Sequence, residues 1–401
     1  MTDLFDKFEA LTATREALPF EQANPVGIVM DEIISPTEAM IDGRRTILAG
    51  TNNYLGLTLD PRCIEAAHKA LDAEGTGTTG SRVLNGTYRG HKGLEEALAN
   101  LYGTDQCIVF STGFLANLAV IGALAGKDDV ILLDADSHAS IYDGCSASGA
   151  TVVRFKHNDA ADLDKRLTRL GVEGSRVLIV VEGLYSMLGD RAPLDELVAV
   201  KKKHGAYLLV DEAHSLGVFG ETGRGVAQEM GLDDDIDFIV GTFSKSVGTI
   251  GGYCVSNHPK FDILRLAARP YMFTASLPPS AVASATKAIE ILGSEPQHRE
   301  QLWRNARQLH EGLSAAGFQL GAPCSPVVAV RVENSDTLVR FWEQLILNGV
   351  YVNLAMPPAT PQGLCLLRCS LSAAHTPEQV NTIVETFKKV ARMNSVGMAP
   401  L

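Results

Sequence analysis

Residues 207–215 read Tyr-Leu-Leu-Val-Asp-Glu-Ala-His-Ser, a short aliphatic run that ends at Asp211 and a polar turn. A run without polar alternation is typical of a parallel strand that is buried on both faces. Between about residues 51 and 290, further runs of this kind alternate with amphipathic helical stretches, at 107–110, 130–133, 177–181 and 238–240. This alternation predicts a doubly wound α/β domain with a mostly parallel central sheet.

Two smaller regions flank this predicted large domain. Residues 1–50 predict an N-terminal arm, with a short helix, a turn at Pro25 and a small hairpin around Asp42-Gly43. Residues 291–401 predict a smaller C-terminal α+β domain, entered through one long helical pattern at 288–307. Its other predicted elements are strands at 327–332 and 364–371, a proline-rich loop at 356–361 and a last helix that begins near Thr376.

Composition limits the partners of the chain. Its 401 residues are 46% hydrophobic, which is enough apolar material for a large core, and the formal net charge is -12. Nucleic acids and anionic membranes need a basic protein face, so the acidic balance disfavours both of them. A phosphorylated small molecule is still compatible with this charge, because a few backbone amides and cations can hold it.

The cysteines and the first residues indicate the compartment. The seven cysteines are scattered and form no C-x-x-C pair, so we expect free thiols in a reducing cytosol rather than a disulfide framework or metal ligands. The first ten residues carry three carboxylates, unlike a signal peptide, and no stretch approaches the ~18 apolar residues of a membrane span. We therefore expect a cytoplasmic protein without a transmembrane segment.

Polar residues from distant parts of the chain follow the predicted strands. They should meet, because ligands bind beyond the carboxyl ends of the strands in an open α/β sheet. Gly113 and Phe114 would open a helix after the first run, where free amides and the helix dipole favour an anion. His138 follows the second run, as a helix cap or as a site residue. Asp211 ends its strand and His214 follows three residues later; a metal pair would need further His or Cys ligands that the spacing does not supply.

Residues 241–248 read Gly-Thr-Phe-Ser-Lys-Ser-Val-Gly and follow the last strand run. A lysine inside a Gly-Ser-Thr loop is poorly explained as a solvated surface charge. The amine of Lys245 suits an aldehyde, and the hydroxyls of Thr242 and Ser244 suit a phosphate.

The set as a whole matches the needs of pyridoxal 5'-phosphate. Asp211 would pair with the pyridine nitrogen, His214 would face the phenolic oxygen, and His138 would cover the ring. Lys245 would hold the cofactor as a Schiff base, and Gly113 with its neighbours would hold the phosphate. Each motif alone is weak, but their order along one chain predicts this cofactor.

Residues 75–80 read Gly-Thr-Gly-Thr-Thr-Gly and satisfy the dinucleotide-binding spacing G-x-G-x-x-G. That motif should follow a strand and open a helix, whereas an amphipathic helical stretch at 61–74 precedes it here. We therefore expect residues 75–86, which include Ser81, to form a loop on the substrate side rather than a nicotinamide site.

With these motifs the chain resembles the α-oxoamine synthase family, over about residues 25–386. The segments that carry the resemblance are 51–56, 75–86, 136–144, 182–187, 211–214, 241–248 and 269–279. The serine before Lys245 is similar to the serine-using bacterial branch, because the glycine- and alanine-using branches usually have glycine there. The resemblance implies a pyridoxal-phosphate-dependent transferase of fold type I.

The resemblance also implies an activity and an assembly. The activity is an acyltransferase reaction that condenses L-serine with a long-chain acyl-CoA, such as palmitoyl-CoA, to give 3-ketodihydrosphingosine, CoA and CO₂. This is the first step of sphingolipid synthesis. The assembly is a homodimer with composite active sites, in which Thr274 of the partner subunit reaches the phosphate.

Further roles follow from the resemblance. Lys245, His138, Asp211 and His214 would be the catalytic group. Ser186 would lie near the phenolic oxygen of the cofactor. The implied substrate-binding residues are Asn53, Ser81 and Arg368, of which the last would bind the substrate carboxylate.

Two positions depart from the serine-using relatives and leave the substrate open. Met356 stands where those relatives carry an arginine just before the proline-rich loop, and Thr79 stands where they often have Asn or Cys. The nearest competing function is that of a sister synthase that uses glycine or alanine with a shorter acyl-CoA. Transamination or β-elimination on the same fold, a non-catalytic companion subunit and a NAD dehydrogenase are weaker candidates.

Overall fold

The computed structural model describes residues 3–20, 23–24 and 27–393, so the predicted turn at Pro25 lies outside the described residues. The chain divides into two compact units. The larger unit comprises Asn52–Ser186 and Asp190–Leu302, and the smaller unit comprises Met1–Thr51, Met187–Gly189 and Trp303–Leu401.

The α-helices, in chain order, are α1 (Glu9–Ala17), α2 (Pro61–Glu74), α3 (Arg89–Tyr102), α4 (Gly113–Leu124), α5 (Ala139–Ser148), α6 (Ala160–Leu170), α7 (Leu194–His204), α8 (Val226–Glu229), α9 (Leu264–Ala267), α10 (Arg269–Met272), α11 (Pro279–Ser294), α12 (Pro296–Ala315), α13 (Ser335–Leu347) and α14 (Pro377–Met393). The strands are β1 (Glu32–Ser35), β2 (Glu38–Ile41), β3 (Arg44–Leu48), β4 (Gln106–Phe110), β5 (Val130–Asp134), β6 (Thr151–Phe155), β7 (Val177–Glu182), β8 (Tyr207–Asp211), β9 (Phe238–Thr242), β10 (Gly252–Ser256), β11 (Val327–Val332), β12 (Val350–Tyr351), β13 (Asn353–Ala355) and β14 (Cys365–Ser370).

The larger unit is built on a seven-stranded sheet in the order β4-β10-β9-β8-β7-β5-β6. Strands β5 to β9 pair in parallel with one another, and β10 is antiparallel to both β4 and β9. Every strand run predicted in this region is a strand, and the mostly parallel α/β sheet is confirmed. The sequence interpretation missed β6 and β10. Strand β6 lies at an edge and is largely exposed, so it lacks the continuous aliphatic run of a buried strand.

The core of the larger unit forms because these strands are apolar on both faces. All six residues of β7 and all five residues of β5 are buried. Helix α4 is also almost wholly apolar, and its buried residues join the strands in one cluster that includes Val120, Leu133, Val180 and Leu209. The parallel register places Asp211 beside Glu182, so the polar strand ends gather at one edge of the sheet.

The smaller unit contains a four-stranded sheet (β1-β2-β3-β12) and a three-stranded sheet (β11-β14-β13). The predicted hairpin joins β2 and β3, and Asp42 and Gly43 both adopt positive φ angles in its turn, of 49° and 69°. The C-terminal strands and the last helix also lie where the sequence predicted them.

The prediction of a single long helical segment at 288–307 was wrong. The chain forms two helices there, because α11 ends at Ser294 and α12 begins at Pro296. Proline disfavours the helical conformation in the residue before it, and Glu295 accordingly has φ -120° and ψ 77°. Among the described residues, no helix is both long and apolar enough to cross a membrane.

Candidate functional site

A cavity of about 330 Å³ opens in the larger unit at the edge of the sheet where β8 and β9 end. Its volume falls within the ~300–1,000 Å³ that is typical of small-molecule sites. The sequence-predicted residues that line it are Gly113, Phe114, His138, Asp211, Thr242, Ser244 and Lys245. The structure therefore brings together residues that lie up to 132 positions apart, from Gly113 to Lys245.

One wall of the cavity has the features of an anion-binding site. Helix α4 begins at Gly113, and Thr112 caps it by accepting a hydrogen bond from the Leu115 amide at 3.0 Å. A Cβ atom on Gly113 would lie 2.7 Å from Thr242 Cβ, so only glycine lets the helix start approach the end of β9 this closely. The hydroxyls of Thr242 and Ser244 are 2.9 Å apart at the same place. Free helix amides and two hydroxyls are suited to a phosphate.

A carboxylate and an amine also line the cavity. Asp211 is 5% exposed at the end of β8, and its Oδ1 accepts a hydrogen bond from the Ala213 amide at 2.9 Å. Lys245 is half-buried in the loop between β9 and β10. The cavity also contains His138, whose pKa is raised by the Asp211 charge and lowered by the Lys245 charge.

His138 caps α5 and also lines the cavity, while its role against the cofactor ring stays a prediction. It precedes α5, and its Nδ1 accepts a hydrogen bond from the Ser140 amide at 3.2 Å. Its own amide donates to Glu182 Oε1 at 2.6 Å. Burial lowers the pKa of His138, the nearby Lys245 charge lowers it further, and Asp211 opposes them. The ring is therefore neutral at neutral pH.

Two cavity residues were missed by the sequence interpretation. Asn117 of α4 donates through Nδ2 to Asp211 Oδ2 at 2.6 Å and to Ser140 Oγ at 3.0 Å. Ser140 Oγ lies 2.8 Å from His138 Nδ1. The available signal was an asparagine in an otherwise apolar helix, since a buried amide needs hydrogen-bond partners.

The structure does not bring every predicted cofactor residue into the cavity lining. His214 is buried in the turn after β8, with its Nδ1 2.8 Å from the Tyr54 hydroxyl. Ser186 lies in the turn after β7 and Thr274 lines a separate small cleft with Arg82. The roles of His214, Ser186 and Thr274 in cofactor binding stay predictions.

The substrate-side residues lie on loops of the larger unit. Residues 75–80 follow α2 rather than a strand, as predicted. Ser81 forms an isolated bridge with Ala275, and Asn53 donates through Nδ2 to Thr58 Oγ1 at 2.8 Å. Among the described residues, neither Ser81 Oγ nor Asn53 Oδ1 has a hydrogen-bond partner, although both atoms are buried. Such atoms are candidates for contacts with a ligand or water.

Arg368 belongs to the smaller unit. It lies on β14, is 5% exposed, and donates through Nη1 to Ser370 Oγ at 2.6 Å. Its role as a carboxylate ligand stays a prediction. In the part of the chain that the structure describes, no cluster of His, Cys, Asp and Glu side chains could hold a metal ion.

Comparisons with known proteins agree with this geometry. A family model described as aminotransferase class I and II matches residues 45–387. Serine palmitoyltransferase from Sphingomonas paucimobilis is 56% identical over 393 residues, which cover 97% of this chain and 93% of the relative. The serine palmitoyltransferase of Caulobacter vibrioides is 53% identical over 387 residues, which cover 96% of this chain and 96% of the relative.

A solved structure extends the comparison to the fold. It is that of a variant of the S. paucimobilis serine palmitoyltransferase with a bound PLP–myriocin aldimine. It has a TM-score of 0.96 and 55% identity, and the match covers 98% of this chain and 100% of that chain. These likenesses confirm the resemblance that the sequence motifs predicted.

Proposed function

This chain belongs to the family of class I and II aminotransferases, and on that premise we propose that it is a pyridoxal 5'-phosphate-dependent acyltransferase. Its proposed substrates are L-serine and a long-chain acyl-CoA, and its proposed products are 3-ketodihydrosphingosine, CoA and CO₂. The main observation behind the proposal is that Lys245, Asp211 and the helix start at Gly113 line the same cavity. Identity of 56% to a serine palmitoyltransferase supports the choice of substrates.

The cavity residues fit the proposed cofactor. The backbone at Gly113 forms a cradle that a Cβ atom would fill, beside the hydroxyls of Thr242 and Ser244, and this cradle would hold the phosphate. Lys245 would hold the aldehyde group, and Asp211 would pair with the pyridine nitrogen. His138 would cover the ring face.

The chemistry divides between the cofactor and the protein. When bound, pyridoxal phosphate supplies an electron-accepting ring that stabilises negative charge at the α-carbon of an amino acid. The buried carboxylate of Asp211 would keep the pyridine nitrogen protonated, and the hydrogen bonds from Asn117 and Ala213 hold that carboxylate in place. Once the amino group of serine has displaced it from the aldehyde, the freed amine of Lys245 would accept the Cα proton of serine at Nζ.

The carboxylate of serine needs a separate cation, and we propose Arg368 for this role. Met356 stands where serine-using relatives carry a second arginine, so Arg368 would bind the carboxylate without that help. A guanidinium suits this task because it forms two parallel hydrogen bonds with a carboxylate. Replacement of Arg368 by Lys should raise KM for serine while leaving KM for the acyl-CoA unchanged.

A substrate panel tests the proposed function. The purified chain with pyridoxal phosphate is given serine, glycine or alanine, each with a short-chain or a long-chain acyl-CoA, and CoA thiol release is measured. We expect the highest kcat/KM for serine with palmitoyl-CoA. Preference for glycine or alanine with a short acyl-CoA would identify a sister synthase instead. Release of pyruvate from serine without thiol would indicate β-elimination.

We also propose that the chain acts as a homodimer, with Thr274 of the partner subunit at the phosphate. Two segments of the larger unit, at 75–86 and 269–279, support this assembly. A 2.6 Å hydrogen bond between Thr78 Oγ1 and Ser276 Oγ joins the two segments. Each segment also exposes a large apolar side chain, since Leu84 is 79% exposed and Phe273 is 71% exposed. Large exposed apolar side chains mark interaction surfaces. Sedimentation of the wild type and of Phe273→Asp should give a dimer and a monomer, respectively. A cytoplasmic location stays a prediction from the sequence.

A further inference from the structure

A buried hydrogen-bond chain lies behind the cavity and links α4, β8 and α5. Asn117 bridges Asp211 and Ser140, and Ser140 Oγ continues the chain to His138 Nδ1. Asn117 and Ser140 are 2% and 1% exposed, respectively. Because water does not compete at these positions, the direction of each hydrogen bond has a large energetic consequence.

The directions follow from what each group can donate. A carboxylate only accepts, so the amide nitrogen of Asn117, and not its oxygen, faces Asp211. The second hydrogen of the same nitrogen points to Ser140 Oγ, which therefore accepts. The hydroxyl hydrogen of Ser140 is then left to donate to His138 Nδ1 at 2.8 Å.

A second contact also shows that His138 Nδ1 accepts a hydrogen bond. The backbone amide of Ser140 lies 3.2 Å from His138 Nδ1, and a backbone amide can only donate. Two donors thus point at Nδ1, which must carry a lone pair. In a neutral imidazole the proton is then on Nε2, at the other side of the ring.

We propose that Asn117 and Ser140 are positioning residues that orient the Asp211 carboxylate and hold His138 as the neutral tautomer with its proton on Nε2. His138 lines the cavity, so this tautomer would offer its Nε2–H as a donor to a molecule bound there. The identity of its acceptor, the carboxylate of a bound amino acid, rests on the proposed function. The tautomer itself depends only on the contacts within the larger unit.

The burial of His138 agrees with this arrangement. Burial and the Lys245 charge lower its pKa, which favours the neutral ring with a single proton.

A purely structural role of Ser140 makes a different prediction. If Ser140 serves only to begin α5, its backbone amide is sufficient, and the hydroxyl of Ser140 and the side-chain amide of Asn117 should have no effect on the imidazole.

The direct test is nuclear magnetic resonance of the full chain labelled with ¹⁵N-histidine, without cofactor and at neutral pH. The His138 signals are identified by their loss in His138→Gln. We expect a protonated Nε2 and an unprotonated Nδ1 in the wild type. Ser140→Ala and Asn117→Ala should each shift the Nδ1 resonance and add a population with the proton on Nδ1, whereas Ser140→Thr should restore the wild-type spectrum.

Ser148→Ala is the matched control, because Ser148 lies on the same helix and donates its hydroxyl hydrogen to a backbone carbonyl, that of Cys145, at 2.7 Å. It should leave the His138 resonances unchanged. A wild-type spectrum with the proton on Nδ1 would overturn the proposal, and this result needs only the His138→Gln variant that assigns the signals. Wild-type His138 resonances in Ser140→Ala would overturn the role of that hydroxyl.

A second measurement tests the orientation of Asp211. Pyridoxal phosphate is titrated into each variant and its binding is followed by absorbance. Loss of one hydrogen bond to a charged group should weaken binding by about 10- to 100-fold in Asn117→Ala. Binding as tight as in the wild type would overturn this role. If the wild type itself fails to bind pyridoxal phosphate, the proposed function fails, while the tautomer result is decided by the spectra alone.

Discussion

His157 is held between two carboxylates in the larger unit, next to the loop that carries His138. Its Nδ1 lies 2.8 Å from Asp134 Oδ1, and its Nε2 lies 2.6 Å from Asp190 Oδ2. Burial by itself would lower the pKa of His157, but the hydrogen bonds to these carboxylates raise it from 6.5 to about 10. The ring therefore carries a positive charge at neutral pH. This charge compensates the carboxylate of Asp134, which is fully buried.

The pKa of His157 gives the size of its effect on stability. A folded-state value of about 10 and an unfolded value of 6.5 imply a contribution of about 3 kcal/mol at pH 8 and less than about 0.5 kcal/mol at pH 10. The contribution is complete below pH 6.5 and is lost as the pH rises through 10. His157→Gln removes the charge, so it should lower the free energy of unfolding by about 3 kcal/mol at pH 8.

The assay is urea unfolding followed by circular dichroism, for wild type and His157→Gln, at several pH values from 7 to 10. The difference between the two proteins should shrink steadily as the pH rises. His68→Gln is the control, because His68 is an exposed histidine on α2 and its replacement should have little effect. A difference that is the same at pH 8 and pH 10 would refute the charged state of His157.

Other changes give outcomes that can be measured in the same protein. Lys245→Ala should abolish CoA release while weak binding of pyridoxal phosphate persists by absorbance; near-normal turnover would refute its role as the base. Gly113→Ala places a Cβ 2.7 Å from Thr242 Cβ, so binding of pyridoxal phosphate should weaken at least ~10-fold, and unchanged affinity would argue against the phosphate seat. Thr79 has φ +58°, which is strained for a β-branched residue, so Thr79→Asn should raise the free energy of unfolding by about 1 kcal/mol in urea. A drop in stability would show that the threonine side chain outweighs the strain.

Much of the larger unit could be predicted from sequence because the relevant information is local. A strand that is buried on both faces is apolar at nearly every position, so β5, β7 and β8 are visible as continuous aliphatic runs. Parallel strands end at one edge of the sheet, which is why Asp211 and Lys245 could be expected to share a site.

Predictions from sequence failed at two kinds of place. One is a strand whose position depends on the strands that pair with it, and the other is a single residue that interrupts a helical periodicity. Strand β10 runs antiparallel between β4 and β9, and no local pattern states which strands it will pair with. The helical periodicity at 288–307 continues across Pro296, although the backbone at Glu295 does not remain helical.

The sequence by itself determined the buried strands β4, β5, β7, β8 and β9 and the order of the polar residues that follow them, and it predicted which of these residues would bind a phosphorylated aldehyde. Only the tertiary structure decided which way their hydrogen bonds run. Asn117 meets Asp211 across 94 positions, and His157 meets Asp190 across 33. Apolar periodicity is a property of consecutive residues, whereas the donor that a buried carboxylate receives is set by which distant side chain packs against it.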